Sequence, residues 1–263
     1  MCLIALAVAP SPTLALVVIA NRDEHYARPT TPMHAWGDGI VAGVDRERGG
    51  TWMGVRVRPG EPLRFAAVTN VRDPADLRPK EPGEPSRGDL VRGFLASEEP
   101  ARTYVARVAE DRVMRGFNLL ALDESGLYWC SNRAPAGQGA LRLSPGIHGL
   151  SNALLDTPWP KVETAKARLA AALAQGEPAP DALFAILADD ARPDDALLPD
   201  TGVGLALERD LAPIRIALPT YGTRCSTVLV ARADRTATLI ERTIAPGPAS
   251  EARFELDVGT TPA

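Results

Sequence analysis

Two apolar runs open this chain, residues 2–9 (CLIALAVA) and 14–20 (LALVVIA), with only Pro10-Ser11-Pro12-Thr13 between them. Their length and their Val, Ile and Leu content are those of strands buried on both faces. The Pro-rich joint turns the chain back, so the pair predicts a β-hairpin at the start of the fold. The same segment is a poor export signal. No basic residue precedes the apolar run, since the first arginine is Arg22, and two prolines interrupt it. Cys2 precedes the run and so does not fit a lipoprotein box. A cytoplasmic, soluble protein with no membrane span is expected.

Further strands are predicted at 51–57, after Gly49-Gly50, and at 64–71. The Pro-, Gly- and charge-rich stretch 72–88 reads as a long loop. A helical region opens at Asp89 and runs to about Asp111, interrupted at Pro100. Residues 117–122 and 127–131 form a second hairpin pattern. The alanine-rich stretch 161–175 has apolar residues at helical spacing, and 180–189 predicts another helix. Residues 190–210 are acidic and carry few signals. Strands resume at 213–218, 224–232, 236–243 and 252–257. Blocks of helices between antiparallel strand sets predict a layered α+β fold, with two antiparallel sheets covered by helices. With no clear linker or internal repeat, residues 1–263 read as a single domain.

Composition narrows the function. A hydrophobic content of 45% supports a real core in a chain of 263 residues. The formal charge of -4 and a pI near 5.5 speak against a nucleic-acid partner. All but three of the 29 basic residues (Lys80, Lys161, Lys166) are arginines, a coding bias more than a patch. Cys2, Cys130 and Cys225 are far apart with no CxxC, which excludes a disulfide framework and a cysteine zinc site. His25, His34 and His148 make no HExxH pattern, and no phosphate loop or GxGxxG is present. No metal and no bound cofactor are expected. A small-molecule substrate or ligand is, with the oligomeric state left open.

Cys2 is the most informative residue. A small second residue allows the initiator Met to be removed, leaving a thiol and a free α-amine on one residue. An α-amine has a pKa of roughly 7.7–8.0, so it can act as the base for its own side chain. A cysteine buried at the start of a first strand is the other reading. Asn21-Arg22-Asp23-Glu24 follows the second apolar run directly. In the hairpin these residues return to the edge where Cys2 begins, so Asp23 is expected near its amine. A solvated turn is the alternative there. Asn70 ends an apolar strand pattern and Asn152 follows Gly149-Leu150-Ser151; either could donate to an oxyanion, or make a turn hydrogen bond. Arg224, before the apolar run Thr227–Val230, could hold a carboxylate, either Asp23 or a substrate group.

Taken together these segments resemble the NRDE, or transport and Golgi organisation 2, family. The matching pieces are Met1-Cys2-Leu3-Ile4, Asn21-Arg22-Asp23-Glu24, Gly50-Thr51-Trp52-Met53-Gly54 and Val68-Thr69-Asn70. They continue through Ser86-Arg87-Gly88, Gly116-Phe117-Asn118-Leu119-Leu120, His148-Gly149-Leu150-Ser151-Asn152, Asp156-Thr157-Pro158-Trp159-Pro160-Lys161 and Tyr221-Gly222-Thr223-Arg224. The family in turn resembles the cysteine branch of the N-terminal nucleophile hydrolases, a four-layer α-β-β-α sandwich that includes acylases of linear amides. The resemblance implies Cys2 as nucleophile, Asp23 as the carboxylate orienting its amine, Asn152 as oxyanion donor and Arg224 as a late active-site arginine. Those acylases carry an arginine three residues before the aspartate, where this chain has Ala20. Arg22 is adjacent to Asp23 instead, and strand alternation points the two to opposite faces. The resemblance also implies an alternative to hydrolysis, a haem or lipid/acyl-CoA carrier on the same fold. The sequence has no paired-His or Cys-Pro haem motif, and Cys2, His25 and His148 could serve as axial ligands only by chance placement.

Overall fold

The computed structural model describes residues 2–77, 83–111, 113–135 and 137–258. The opening hairpin is present and longer than its apolar runs, with β1 at Cys2–Ser11 and β2 at Leu14–His25. Next come β3 (Thr30–Ala35), β4 (Ile40–Asp45), β5 (Met53–Arg56) and β6 (Arg64–Asn70). The helices α1 (Arg87–Ala96) and α2 (Ala101–Ala109) follow. Then come β7 (Phe117–Asp123), β8 (Gly126–Ser131), β9 (Ala140–Arg142) and β10 (Gly146–Leu150). The helices α3 (Pro160–Leu173), α4 (Pro180–Leu187) and α5 (Leu205–Leu211) lead to β11 (Tyr221–Arg232), β12 (Thr236–Thr243) and β13 (Ser250–Asp257).

The strands form two antiparallel sheets, one in the order β10-β1-β2-β11-β12-β13, the other running β3 to β9 in sequence. Side-chain alternation then builds the layers. Ile4, Leu6, Val18 and Leu229 of the first sheet pack between the sheets against Met53, Val55, Phe65 and Trp129 of the second. Their neighbours Leu3, Ala5, Val17 and Ile19 point outward to Val162, Leu169, Leu183 and Phe184 on α3 and α4. On the other side Val68, Leu119 and Cys130 meet Leu90, Phe94 and Val105 of α1 and α2. The result is the expected α+β sandwich, helix, sheet, sheet, helix.

The structure departs from the sequence pattern in several places. Residues 213–218 are not a strand, and their one ladder contact is a bridge from Ala217 to Gly222. Ile214 and Ile216 are buried against the first sheet, which reproduces the apolar spacing of a strand. Asn21 to Glu24 lie inside β2, not in a turn, because β1 pairs with β2 as far as Arg22 and β11 pairs with it through Glu24 and on to His25. The predicted loop at 72–88 holds a short 3-10 turn (Pro74–Leu77), and its stretch 78–82 lies outside the described residues. α1 starts at Arg87 because Ser86 caps it and Asp89 closes a capping box. α5 falls in the acidic stretch that showed no clear pattern. No described helix is long and apolar enough to cross a membrane.

Candidate active site

Cys2 is the first residue of β1 and pairs with Arg22 of β2, which pairs on its other side with Cys225 of β11. Residues paired across an antiparallel sheet share a face. Cys2, Arg22 and Cys225 therefore form one row facing the second sheet. A cavity of about 220 Å³ opens beside that row, bordered by Cys2, Arg22, Asn70, Arg87, Glu241 and Asp23 among others. Arg22 and Asp23 both border the cavity, although alternation predicts only one. The carboxylate of Asp23 turns to the opposite face, where Thr223 Oγ1 donates to its Oδ1 at 2.7 Å. Thr223 is held in turn by the Ile216 N–H, which donates to the same hydroxyl at 3.0 Å.

Lys161, in the first turn of α3, completes this buried cluster. It is 4% exposed, and its Nζ donates to the Leu211 carbonyl at 2.9 Å. Burial pulls its pKa down to about 8, against the pull of the Asp23 charge. Burial pushes Asp23 upward, opposed by Lys161, Thr223 and Arg22. The Cys2 thiol is pushed up by burial and by the Asp23 charge, while Arg22 works the other way. Burial thus favours the protonated thiol, and a nucleophilic role would need a base in contact with it.

The two asparagines are joined but do not stand in equivalent places. Asn70, at the end of β6, borders the Cys2 cavity. Asn152 lies behind it, buried, and its Nδ2 donates to the Asn70 carbonyl at 2.9 Å. Its neighbour Ser151 donates from Oγ to the Cys2 carbonyl at 3.1 Å, tying the segment after β10 to the start of β1. Thr69 Oγ1 donates to the Ser151 carbonyl at 2.7 Å, which ties it to β6 as well.

Arg224 is the extra residue of a bulge, at the register shift between Thr223 and Cys225. Its guanidinium borders the cavity but donates to backbone carbonyls. Nε reaches Ala245, Nη1 reaches His25 and Arg28 at 2.8 Å, and Nη2 reaches Thr30 Oγ1. These bonds fasten the crossing from the first sheet to the second. Asn21, on the outer face, donates from Nδ2 to the Leu187 and Ile214 carbonyls at 2.9 Å. It secures α4 and the irregular segment after α5. Burial acts to raise the Glu24 carboxyl, but the His25 N–H, Arg22 and Arg28 outweigh it and hold the group below its usual range.

The histidines do not gather around Cys2. Both ring nitrogens of His148 face oxygens, Nδ1 at 2.9 Å from Asp156 Oδ2 and Nε2 at 3.0 Å from the Ser144 carbonyl. His25 packs edge-on against Tyr221. Neither borders the Cys2 cavity.

Sequence reasoning missed Lys161, Thr223, Arg87 and Glu241. Arg87 reaches the cavity because the chain passes very close at Gly50 and Gly88. A Cβ on Gly50 would stand 2.6 Å from the Gly88 carbonyl carbon. Gly49-Gly50 and the polar pair Ser86-Arg87 before Gly88 were the available signal. Glu241 Oε1 accepts the Met33 N–H at 2.6 Å across the sheets, and burial pushes its carboxyl upward. Nothing in its local sequence distinguishes it from any other strand glutamate.

Known proteins align with this chain along most of its length. The family model described as Transport and Golgi organisation 2 matches residues 1–246. The Transport and Golgi organization protein 2 homolog of Bos taurus is 36% identical over 246 residues, covering 87% of this chain and 86% of that protein. The Homo sapiens homolog is 34% identical over 247 residues with the same coverage, and Transport and Golgi organization protein 2 of Drosophila melanogaster is 27% identical over 263 residues. The segments around Cys2, Asp23, Asn70 and Arg224 all fall within the matched span, and the chain belongs to the transport and Golgi organisation 2 family.

Proposed function

We propose that this chain is a cysteine-dependent hydrolase of linear amides, with Cys2 as nucleophile once it is the N-terminal residue of the mature chain. The observation that carries this reading is the position of Cys2. It begins β1 at the end of an inter-sheet cavity, in register with Arg22, with the Asp23 carboxylate buried in the same strand pair. A free α-amine on Cys2 takes the thiol proton, and the thiolate sulfur attacks the amide carbon. The carbonyl oxygen becomes an oxyanion, for which Asn70 is the asparagine donor on the cavity wall and Asn152 its support. The C–N bond then breaks, the departing amine takes the proton from the α-ammonium, and a thioester remains on Cys2. Water, deprotonated by the same amine, releases the acid and restores the thiol. Asp23 stabilises the ammonium form, and Thr223 and Lys161 hold Asp23 in place.

The test is a panel of chromogenic acyl amides, with acid quenching and mass analysis of the Cys2 peptide. Turnover with an acyl group on Cys2, both lost in Cys2→Ala at unchanged melting temperature, supports the reading. No turnover and no adduct across the panel overturns it, and carriage of haem or an acyl ligand becomes the better account.

A further inference from the structure

Arg22 is 9% exposed, yet among the described residues its guanidinium makes no hydrogen bond. Its ionic neighbour, Glu24, stands 4.0 Å away on the same face of β2. Two other buried arginines bordering or bracing the same sheets are richly bonded. Arg56 reaches the Leu95 and Ser97 carbonyls and two carboxylates, and Arg224 spends its donors on four carbonyls and a hydroxyl. A guanidinium has five donors in a fixed fork, and burying it unsatisfied is costly. Among the described residues the Arg22 donors are not sealed off from the cavity, so an anion entering there can take them. Arg87 faces the same cavity from the start of α1, and donates from Nη1 to the Gly116 carbonyl at 3.1 Å. The cavity wall carries six arginines and five carboxylic residues, so basic side chains outnumber acidic ones by one.

We infer that the cavity beside Cys2 is a carboxylate-binding subsite, with Arg22 as the fork that grips the anion and Arg87 as its second cation. The ligand is a monocarboxylate with its reacting carbon a short reach from the thiol, which for the hydrolase reading means an acyl amide bearing a free carboxylate. A carboxylate meets the planar fork of a guanidinium with two oxygens and one charge, and it brings less negative charge than a phosphate dianion beside Glu24, Asp45 and Glu84. The inference deepens the hydrolase reading but does not require turnover, because the anion site stands equally in a binding protein.

The test compares two alkylating probes of nearly equal size, iodoacetate and iodoacetamide, by their rates at Cys2 read through peptide mass mapping. A thiol without a cationic neighbour reacts faster with the neutral reagent. Here iodoacetate is expected to react at least ten times faster than iodoacetamide at Cys2, with saturation as its concentration rises. Arg22→Gln is expected to abolish that preference, Arg22→Lys to keep part of it, and Arg87→Gln to weaken it. Far-UV dichroism and melting confirm that each variant is folded. Equal or slower reaction with iodoacetate in the wild type overturns the inference, as does a preference that survives Arg22→Gln in folded protein. Absence of labelling at Cys2 by both reagents shows a cavity closed to such a ligand and also overturns it. An iodoacetate preference without hydrolysis of any amide leaves the subsite standing and removes only the hydrolase reading.

Discussion

Asn152 donates its side-chain amide to the backbone carbonyl of Asn70, so the asparagine that family resemblance names as the oxyanion donor holds the one that borders the cavity. Under the proposed hydrolysis, the pair would divide a role that either alone was expected to play. It also explains why segments 82 residues apart both belong to the site.

The division has a kinetic consequence. Asn70→Ala removes the donor on the cavity wall, and loss of one such donor lowers turnover by about 10²–10³-fold. Asn152→Ala leaves that side chain in place but frees the Asn70 carbonyl, so the loss of turnover is smaller and comes with reduced stability, about 1–3 kcal/mol for a buried polar group left unpaired. Steady-state rates and denaturant midpoints of the two variants separate these outcomes. Equal kinetic losses with unchanged midpoints contradict the division.

Arg224 acts on the fold before it acts on any ligand. Arg224→Met deprives the His25, Arg28 and Ala245 carbonyls of their donor at the crossing between the sheets, and each carbonyl left unpaired is expected to cost about 1–3 kcal/mol where it stays buried. Arg224→Lys does not restore it, because an ammonium is compact and lacks the planar fork. Urea unfolding of both variants is the check, and a near-native Lys variant contradicts the assignment.

Lys161 gives the protein a pH signature. Its folded pKa of about 8 lies below its ordinary 10.5, so the native state binds fewer protons than the unfolded chain between those values. Stability from this group therefore rises with pH across that window and is lost as pH falls through 8. The full difference is roughly 3 kcal/mol. Lys161→Met is expected to flatten that rise, measured as the difference in unfolding free energy between the variant and the wild type across the window. Parallel curves contradict the buried ammonium.

His148 works in the opposite sense. The Asp156 hydrogen bond raises its pKa above 6.5, outweighing partial burial. Its stabilisation is fully present below pH 6.5 and fades as pH rises through the raised folded value. Asp156 also accepts the Gly149 N–H at 2.8 Å and so braces the strand that delivers Ser151 and Asn152. Asp156→Asn is expected to cost about 1 kcal/mol more at acidic than at alkaline pH. A pH-independent cost contradicts the protonated pair.

The legible parts of this fold were those with continuous local patterns. The apolar runs of β1 and β2, the hairpin of β7 and β8 and the alanine-rich α3 each advertise their period within a few residues. β3 was not legible, because Pro32 interrupts it and it lies at a sheet edge. β10 carries two glycines in five residues, and its strand character comes from pairing with β1. The site followed the same rule. Cys2 and Asp23 were visible because a single hairpin brings them together. Lys161, Glu241 and Arg87 arrive from elements far away in sequence, and only the packing of α3, β12 and α1 around that hairpin brings them in.

The central claim is that Cys2 supplies both nucleophile and base, and the most direct measurement is the mass and N-terminal residue of the purified mature protein. The account predicts a chain that begins at Cys2 with an unmodified α-amine. A chain that retains Met1, or carries a blocked Cys2 amine, lacks the base and contradicts it.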